Sequence, residues 1–202
     1  MQKYLSLIIC IFLFGELRAQ GYQAELLLGA NFSQIDGDQL AGYNKLGLNT
    51  GIAISRKVKE PWEWSFEILY TQKGSKKVID PEVFTPTLKI DYHYAEVPIL
   101  ARYNFNKKIR FFAGPSVGIS VFNERDDNGF IAKEEALLKY EVAFHLGGTY
   151  FFTDHWGAEL RHSYSVLSIR DYPIVVNSPT WFGRAGWYNR LYTIGLRYNL
   201  GT

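Results

Sequence analysis

The residues of this sequence with the means to do chemistry fall into one small trio, one loop cluster and one set of opposed charges. His145 and Glu141 are four positions apart, so an extended segment puts both on one face. Ser163 and Ser165 share a face of the next segment, and a turn at 153–155 sets His145 roughly opposite Ser163. A nucleophile, a base and an orienting acid within hydrogen-bond reach make an acyl-transfer or hydrolytic site. Ser163, His145 and Glu141 are thus the candidate trio, and its plainer meaning is a polar contact inside the fold. His93, Asp91 and Asp80 are near one another in sequence, but nothing fixes a metal-ligand spacing, so neither a metal nor a cofactor is implied. His155 and His162 read as turn or interfacial residues.

The loop cluster is richer. Tyr172, Trp181, Phe182, Arg184 and Trp187 crowd one irregular stretch, with Arg170 and Arg190 at its flanks. Aromatics beside arginines bind proteins or sugars when exposed, and pack on a fold's rim when not. This stretch is the candidate loop-binding site, and its candidate ligand is a protein partner.

The third set is Glu67, Glu96, Arg102, Arg110, Glu141, Glu159, Arg161 and Arg197, four acids and four bases. Each stands on the polar face of a segment that alternates apolar and polar residues. The elements that must position them are therefore strands, because a period of two is the strand signature. Leu26, Leu28 and Phe32 oppose Glu25 and Asn31, and Trp64, Phe66, Ile68 and Tyr70 oppose Ser65, Glu67 and Thr71. Similar alternation runs through 45–56, 109–121, 140–152, 156–166 and 192–200. In 89–105 the apolar residues switch from even numbers (Ile90, Tyr92, Tyr94) to odd ones (Val97, Ile99, Ala101), which predicts a β-bulge near Ala95-Glu96.

Eight segments result, most of them ten residues or longer. A tilted strand needs about 9–11 residues to cross a bilayer, and strands of globular domains average about 5–6. The connections alternate: 35–44, 73–88, 124–138 and 168–187 are long, while 57–61, 106–108 and 153–155 are short. Outer-membrane barrels have short periplasmic turns and longer outer loops. The expected fold is all-β, an eight-stranded antiparallel up-and-down transmembrane β-barrel with its apolar face outward. The eight charges then line the lumen, where an unpaired charge costs several kcal/mol, so they are expected to form a salt-bridge network. Tyr22, Trp62, Trp64, Tyr103, Phe105, Tyr150, Phe152, Trp156 and Tyr198 gather near the short turns. Phe32, Tyr70, Tyr92, Tyr94, Phe122, Tyr140, Tyr164 and Tyr192 gather near the long loops. They read as two aromatic girdles.

Composition agrees with this picture. The chain has 202 residues, a formal net charge of +2, fourteen Tyr and five Trp. No basic run suggests nucleic acid. Residues 1–19 read as a signal peptide: Lys3, then the apolar run Leu5 to Phe14, then Leu17-Arg18-Ala19 before a cleavage ahead of Gln20. The single cysteine, Cys10, lies inside it and lacks a small residue before it, so lipidation is not expected. The barrel domain spans 20–202, and no separate periplasmic domain is expected. Thr193-x-Gly195-x-x-Tyr198-x-Leu200 resembles the C-terminal signal that barrel-assembly machinery reads, without the usual terminal aromatic.

Several stretches also resemble the PorT-like small outer-membrane barrels of Bacteroidetes. They are Gly29-Ala30-Asn31-Phe32-Ser33, Glu67-Ile68-Leu69-Tyr70-Thr71-Gln72-Lys73-Gly74, Tyr94-Ala95-Glu96-Val97-Pro98-Ile99-Leu100, Phe112-Ala113-Gly114-Pro115 and Gly195-Leu196-Arg197-Tyr198-Asn199-Leu200. The resemblance implies an outer-membrane barrel, porin-like in form, with no defined activity. The member that names the family serves in type IX protein secretion.

The sequence thus points to a non-enzymatic barrel of the bacterial outer membrane with a structural or binding role at its extracellular loops. Its expected partners are outer-membrane lipid and lipopolysaccharide, and the assembly machinery during biogenesis. A transport or type IX secretion-accessory barrel is the first alternative, and a lipid-modifying enzyme the second.

Overall fold

The computed structural model describes residues 21–38, 40, 42–77, 88–133, 137–170 and 186–201. The expected leader, residues 1–19, lies outside the described residues. The strands are β1 (Tyr22–Asp36), β2 (Lys45–Lys59), β3 (Trp62–Lys76), β4 (Leu88–Asn104), β5 (Ile109–Asp127), β6 (Phe130–Ala132), β7 (Tyr140–Phe151), β8 (Trp156–Ser165) and β9 (Tyr188–Asn199). Each pairs antiparallel with its neighbour in the order β4-β3-β2-β1-β9-β8-β7-β5, and β4 pairs with β5 to close the ring. The chain is a closed eight-stranded antiparallel barrel. First and last strands meet from Glu25 opposite Asn199 to Asp36 opposite Tyr188.

The barrel is inside out relative to a soluble one. Leu26, Leu28, Ile52, Ile54, Ile68, Phe144, Leu160 and Ile194 are exposed, while Glu25, Asn31, Glu67, Arg102 and Arg197 are buried. The alternation dictates this, because successive side chains of a strand take opposite faces. Among the described residues no helix is long and apolar enough to cross a membrane. The crossing is made by strands, whose backbone groups find partners on neighbouring strands once the sheet closes.

Two expectations need correction. First, β4 carries no reversal of phase: Ile90, Tyr92, Tyr94, Glu96, Leu100 and Arg102 all point inward. The extra residue sits on β5. His93 faces Phe122 and Tyr94 faces Ser120, so Val121 is the unpaired one. The inward face simply turns from charged to aromatic toward the long-loop end. Hydrophobicity alone reads that change of filling as a change of face. Second, the strands reach into stretches expected to be loops. β3 continues to Lys76 and β5 to Asp127, and β6 folds back on β5 around Asn128 and Gly129, both at positive φ. A two-residue turn of that kind matches strand twist.

Pro98 does not need a bulge. The β3–β4 ladder is interrupted between Phe66–Ile99 and Leu69–Glu96, and the β4–β5 ladder between Pro98–Ser116 and Ala101–Ala113, beside Pro115. Proline has no donor to give the ladder.

Candidate functional site

The lumen is filled in layers. Nearest the short turns, seven charged side chains join six strands. Arg197 pairs through Nη1 with Glu25 (2.6 Å), through Nη2 with Glu67 (2.7 Å) and through Nε with Glu159. Arg102 bridges Glu25 at 3.1 Å and Glu67 at 3.2 Å, and Arg161 bridges Glu67 at 2.7 Å and Glu159 at 2.9 Å. Arg110 reaches Glu25 at 2.5 Å. Phe112 lies among them, its ring 4.9 Å from the Arg161 guanidinium carbon and 5.6 Å from that of Arg197. Gly147 makes room for this ring, since a Cβ there would lie 2.5 Å from Phe112 Cζ.

The next layer is centred on Lys73. Its ammonium donates to Glu141 at 2.9 Å and to Glu96 at 3.1 Å. Ser116 donates to Glu96 at 2.5 Å, Ser165 donates to Glu141, and Asn189 donates to Glu141 at 3.0 Å. The network of these two layers joins five bases (Lys73, Arg102, Arg110, Arg161, Arg197) to five acids (Glu25, Glu67, Glu96, Glu141, Glu159), so its own charges balance.

All eight lumen charges expected from sequence are placed in these layers. Glu25 and Lys73 were missing from that set. Glu25 was legible from its position between Ala24 and Leu26, on the inward parity. Lys73 has no such signal, because it lies past the apolar outward residues of β3 and reads as part of a polar connection. Asn31 was likewise unmarked, yet its amide donates to Thr71 Oγ1 (2.8 Å) and Gln72 O (2.9 Å) and accepts from Thr193 (2.6 Å), linking β1 to β3 and β9.

Above these layers the lumen is closed by Ile35, Ile90, Tyr92, Tyr94, Ile169 and Trp187, with Leu137 packed against them. The connections fold in to complete it: Leu138 N–H donates to Ile169 O and Ile169 N–H to Trp187 O. Tyr92 and Tyr94, expected in the outer girdle, therefore point inward, whereas Tyr164 keeps the outward parity of β8 and is covered by Tyr188, whose ring stacks on it. Trp187 is also corrected as a loop-binding candidate. It is 5% exposed, with Arg170 lying 4.1 Å over its ring. Tyr172, Trp181, Phe182 and Arg184 lie outside the described residues, as does Asp80.

The catalytic trio does not assemble. His145 and Ser163 are cross-strand partners as the spacing predicts. The imidazole turns away, however. Its Nε2 lies 2.8 Å from Ser116 Oγ and 3.0 Å from Glu96, while Glu141 is engaged by Lys73 and Asn189. A relay needs the acid on one ring nitrogen and the nucleophile on the other. Here one nitrogen meets both. Elsewhere His93 Nδ1 meets Tyr70 OH at 2.8 Å, and its Nε2 is 3.3 Å from Asp91. His155 lies in the β7–β8 turn on Asn199 O, and His162 bonds Leu191 O beside Tyr192.

Outside, two aromatic bands flank the apolar belt. Trp62–Tyr103, Tyr22–Trp64 and Trp156–Tyr198 are ring pairs near the short turns. Tyr43–Tyr192 and His93–Phe122 are pairs near the long connections. The family described as outer membrane protein beta-barrel domain matches residues 18–171. The chain belongs to that family. The barrel is thus an outer-membrane barrel, with the location that implies. No curated protein matches the chain. Among solved structures, Ail of Yersinia pestis bound to the heparin analogue sucrose octasulfate superposes with a TM-score of 0.52 at 11% identity, covering 90% of this chain and 100% of that one. Neisserial surface protein A superposes with a TM-score of 0.57 at 12% identity, covering 89% and 99%. At such identities the likeness concerns the fold.

Proposed function

We propose that this outer-membrane barrel is a non-enzymatic binding protein that works at its outer face. One observation carries the reading: the lumen is closed by charged layers and an apolar filling, while the outward end presents exposed apolar surface. Phe130 and Ile131 of β6 are 75% and 62% exposed, at the tip of a hairpin that continues β5 beyond its pairing with β7. A surface of that kind suits recognition. The attachment invasion locus protein Ail, held with a heparin analogue, makes sulfated glycans one ligand class to try beside proteins.

The finer assignment is to the PorT-like barrels of Bacteroidetes, on the stretches quoted above, with a leader cleaved between Ala19 and Gln20. Intact mass of the protein from outer membranes checks the cleavage. A transport or type IX secretion-accessory role is the alternative that this assignment brings. The closed lumen speaks against conduction.

Cells displaying the barrel, and cells displaying Phe130→Ser/Ile131→Ser, are to be compared for retention on immobilised heparin and on immobilised serum protein. Retention by the first and at least tenfold loss by the second is expected. Equal retention of both sinks the role of this hairpin. Steady ion currents from the purified barrel in planar bilayers would overturn the closed-lumen reading.

A further inference from the structure

The opposite mouth of the barrel is open. A cavity of about 660 Å³ lies among the short turns, lined by Pro61, Glu63, Arg110 and Phe151. That volume lies within the range of small-molecule and peptide pockets, roughly 300–1,000 Å³. Short turns of such barrels face the periplasm, so this site is separate from the outer face.

Its chemistry is set by Glu63. The side chain is 5% exposed, and one oxygen accepts from Asn104 Nδ2 at 2.7 Å. Its Oε2 is buried with no hydrogen-bond partner among the described residues. Asn104 is fixed in turn by Arg110 Nε at 3.3 Å, and Arg110 is committed to Glu25 and stacked on Phe151 at 4.7 Å. Arg110 is therefore already committed, and Arg102, opposite Glu63 in the β3–β4 register, turns its Nη2 to Glu25 and Glu67 instead. A buried carboxylate oxygen without a donor is costly, and the group that satisfies it best is a charged N–H donor. At the rim the sign reverses. Lys107 and Lys108 line the same cavity, are exposed, and make no ion pair among the described residues. Lys57 is already placed near Glu60, at 3.8 Å.

We propose that this vestibule binds a peptide segment whose basic side chain enters first, onto Glu63 Oε2, and whose flanking acidic groups rest on Lys107 and Lys108. Pro61 and the inward-facing Phe151 supply apolar walls for the stem of a lysine or arginine, which buries its methylenes while its head finds the charge. The order of charges, anion deep and cations at the rim, selects a basic residue between acidic ones over an evenly basic peptide.

The test uses the full-length barrel in detergent micelles and the peptide acetyl-Asp-Lys-Asp-amide. Binding is followed by NMR at the Asn104 side-chain amide, which reports on Glu63 directly. The peptide shifts that signal saturably, and acetyl-Asp-norleucine-Asp-amide, equal in length without the ammonium, does not. Glu63→Gln weakens binding at least tenfold. Should that variant fail to fold, Lys107→Glu/Lys108→Glu decides the matter at exposed positions: it weakens the Asp-flanked peptide and strengthens acetyl-Lys-Lys-Lys-amide. No shift at millimolar peptide, an equal shift with norleucine, or unchanged affinity in both variants overturns the proposal.

Discussion

Arg197 and Glu67 are separated by 130 positions in the chain and meet at 2.7 Å inside the barrel. β9 and β3 are not neighbours in the sheet, for β2 and β1 lie between them. Their contact exists only once the ring has closed. Arg197 also holds Glu25 on β1 and Glu159 on β8, so one guanidinium ties together four strands around the closure.

Replacing Arg197 with alanine should therefore be severe. It leaves three buried carboxylates short of a donor, and breaking a buried ion pair by removing one partner costs about 3–5 kcal/mol. Arg197→Lys should recover part of this, because an ammonium lacks the planar fork that serves several carboxylates at once. Urea unfolding in micelles, or the heating temperature at which the folded SDS-gel band is lost, measures both. An Arg197→Ala barrel as resistant as the parent would contradict the network's role.

The fit around Phe112 can be tested without touching a charge. A methyl at Gly147 would sit 2.4 Å from Leu160 O and 2.5 Å from Phe112 Cζ. Gly147→Ala must push the ring or the strand, at a cost of about 1–3 kcal/mol typical of overpacking. Gly148→Ala is the control, since its methyl would first meet Phe111 Cδ1 at 3.4 Å, an ordinary contact. The same unfolding assay should show the first variant weakened and the second unchanged.

His145 and Ser163 separate a structural role from a catalytic one. His145 contacts Glu96 and Ser116, whereas Ser163 Oγ has no partner among the described residues. His145→Ala should lower stability and Ser163→Ala should leave it nearly unchanged. Neither should alter the lipid profile of cells carrying the barrel. A shared loss of some lipid modification in both would revive the enzyme reading.

The strand pattern was legible because a lipid-facing wall and a polar lumen impose strict alternation, as along Tyr140 to Phe152. Most inward charges followed from parity alone. The failures came where the physics changes along a strand. Tyr92 and Tyr94 line the lumen but are as apolar as lipid-facing residues, so parity and hydrophobicity disagree there and hydrophobicity misleads. Lys73 and Gly74 looked like a loop, since they continue β3 beyond its apolar outward stretch. Which carboxylate meets which base was not readable from sequence. That depends on side chains crossing the lumen between strands distant in sequence, as Arg110 does to reach Glu25. The unmatched oxygen of Glu63 is a property of the same kind.

The β1–β2 connection adds a titration. Burial pushes the Asp38 carboxyl from its ordinary 3.8 up to about 6, and the nearby Asp36 charge adds to the rise; the Leu40 N–H bonded to it opposes the shift. A carboxyl raised in the folded state stabilises that state fully below its unfolded value, and the contribution is lost as pH climbs through the folded value. The connection should therefore be held most firmly below pH 3.8 and loosen as pH passes about 6. A carboxyl 13C titration in micelles should place the Asp38 midpoint near 6. Hydrogen exchange across residues 37–44, corrected for its intrinsic pH dependence, should quicken over the same interval in the parent but not in Asp38→Asn. A midpoint at the ordinary aspartate value would show that Asp38 is solvated, and the pH dependence of the connection would then have to vanish with it.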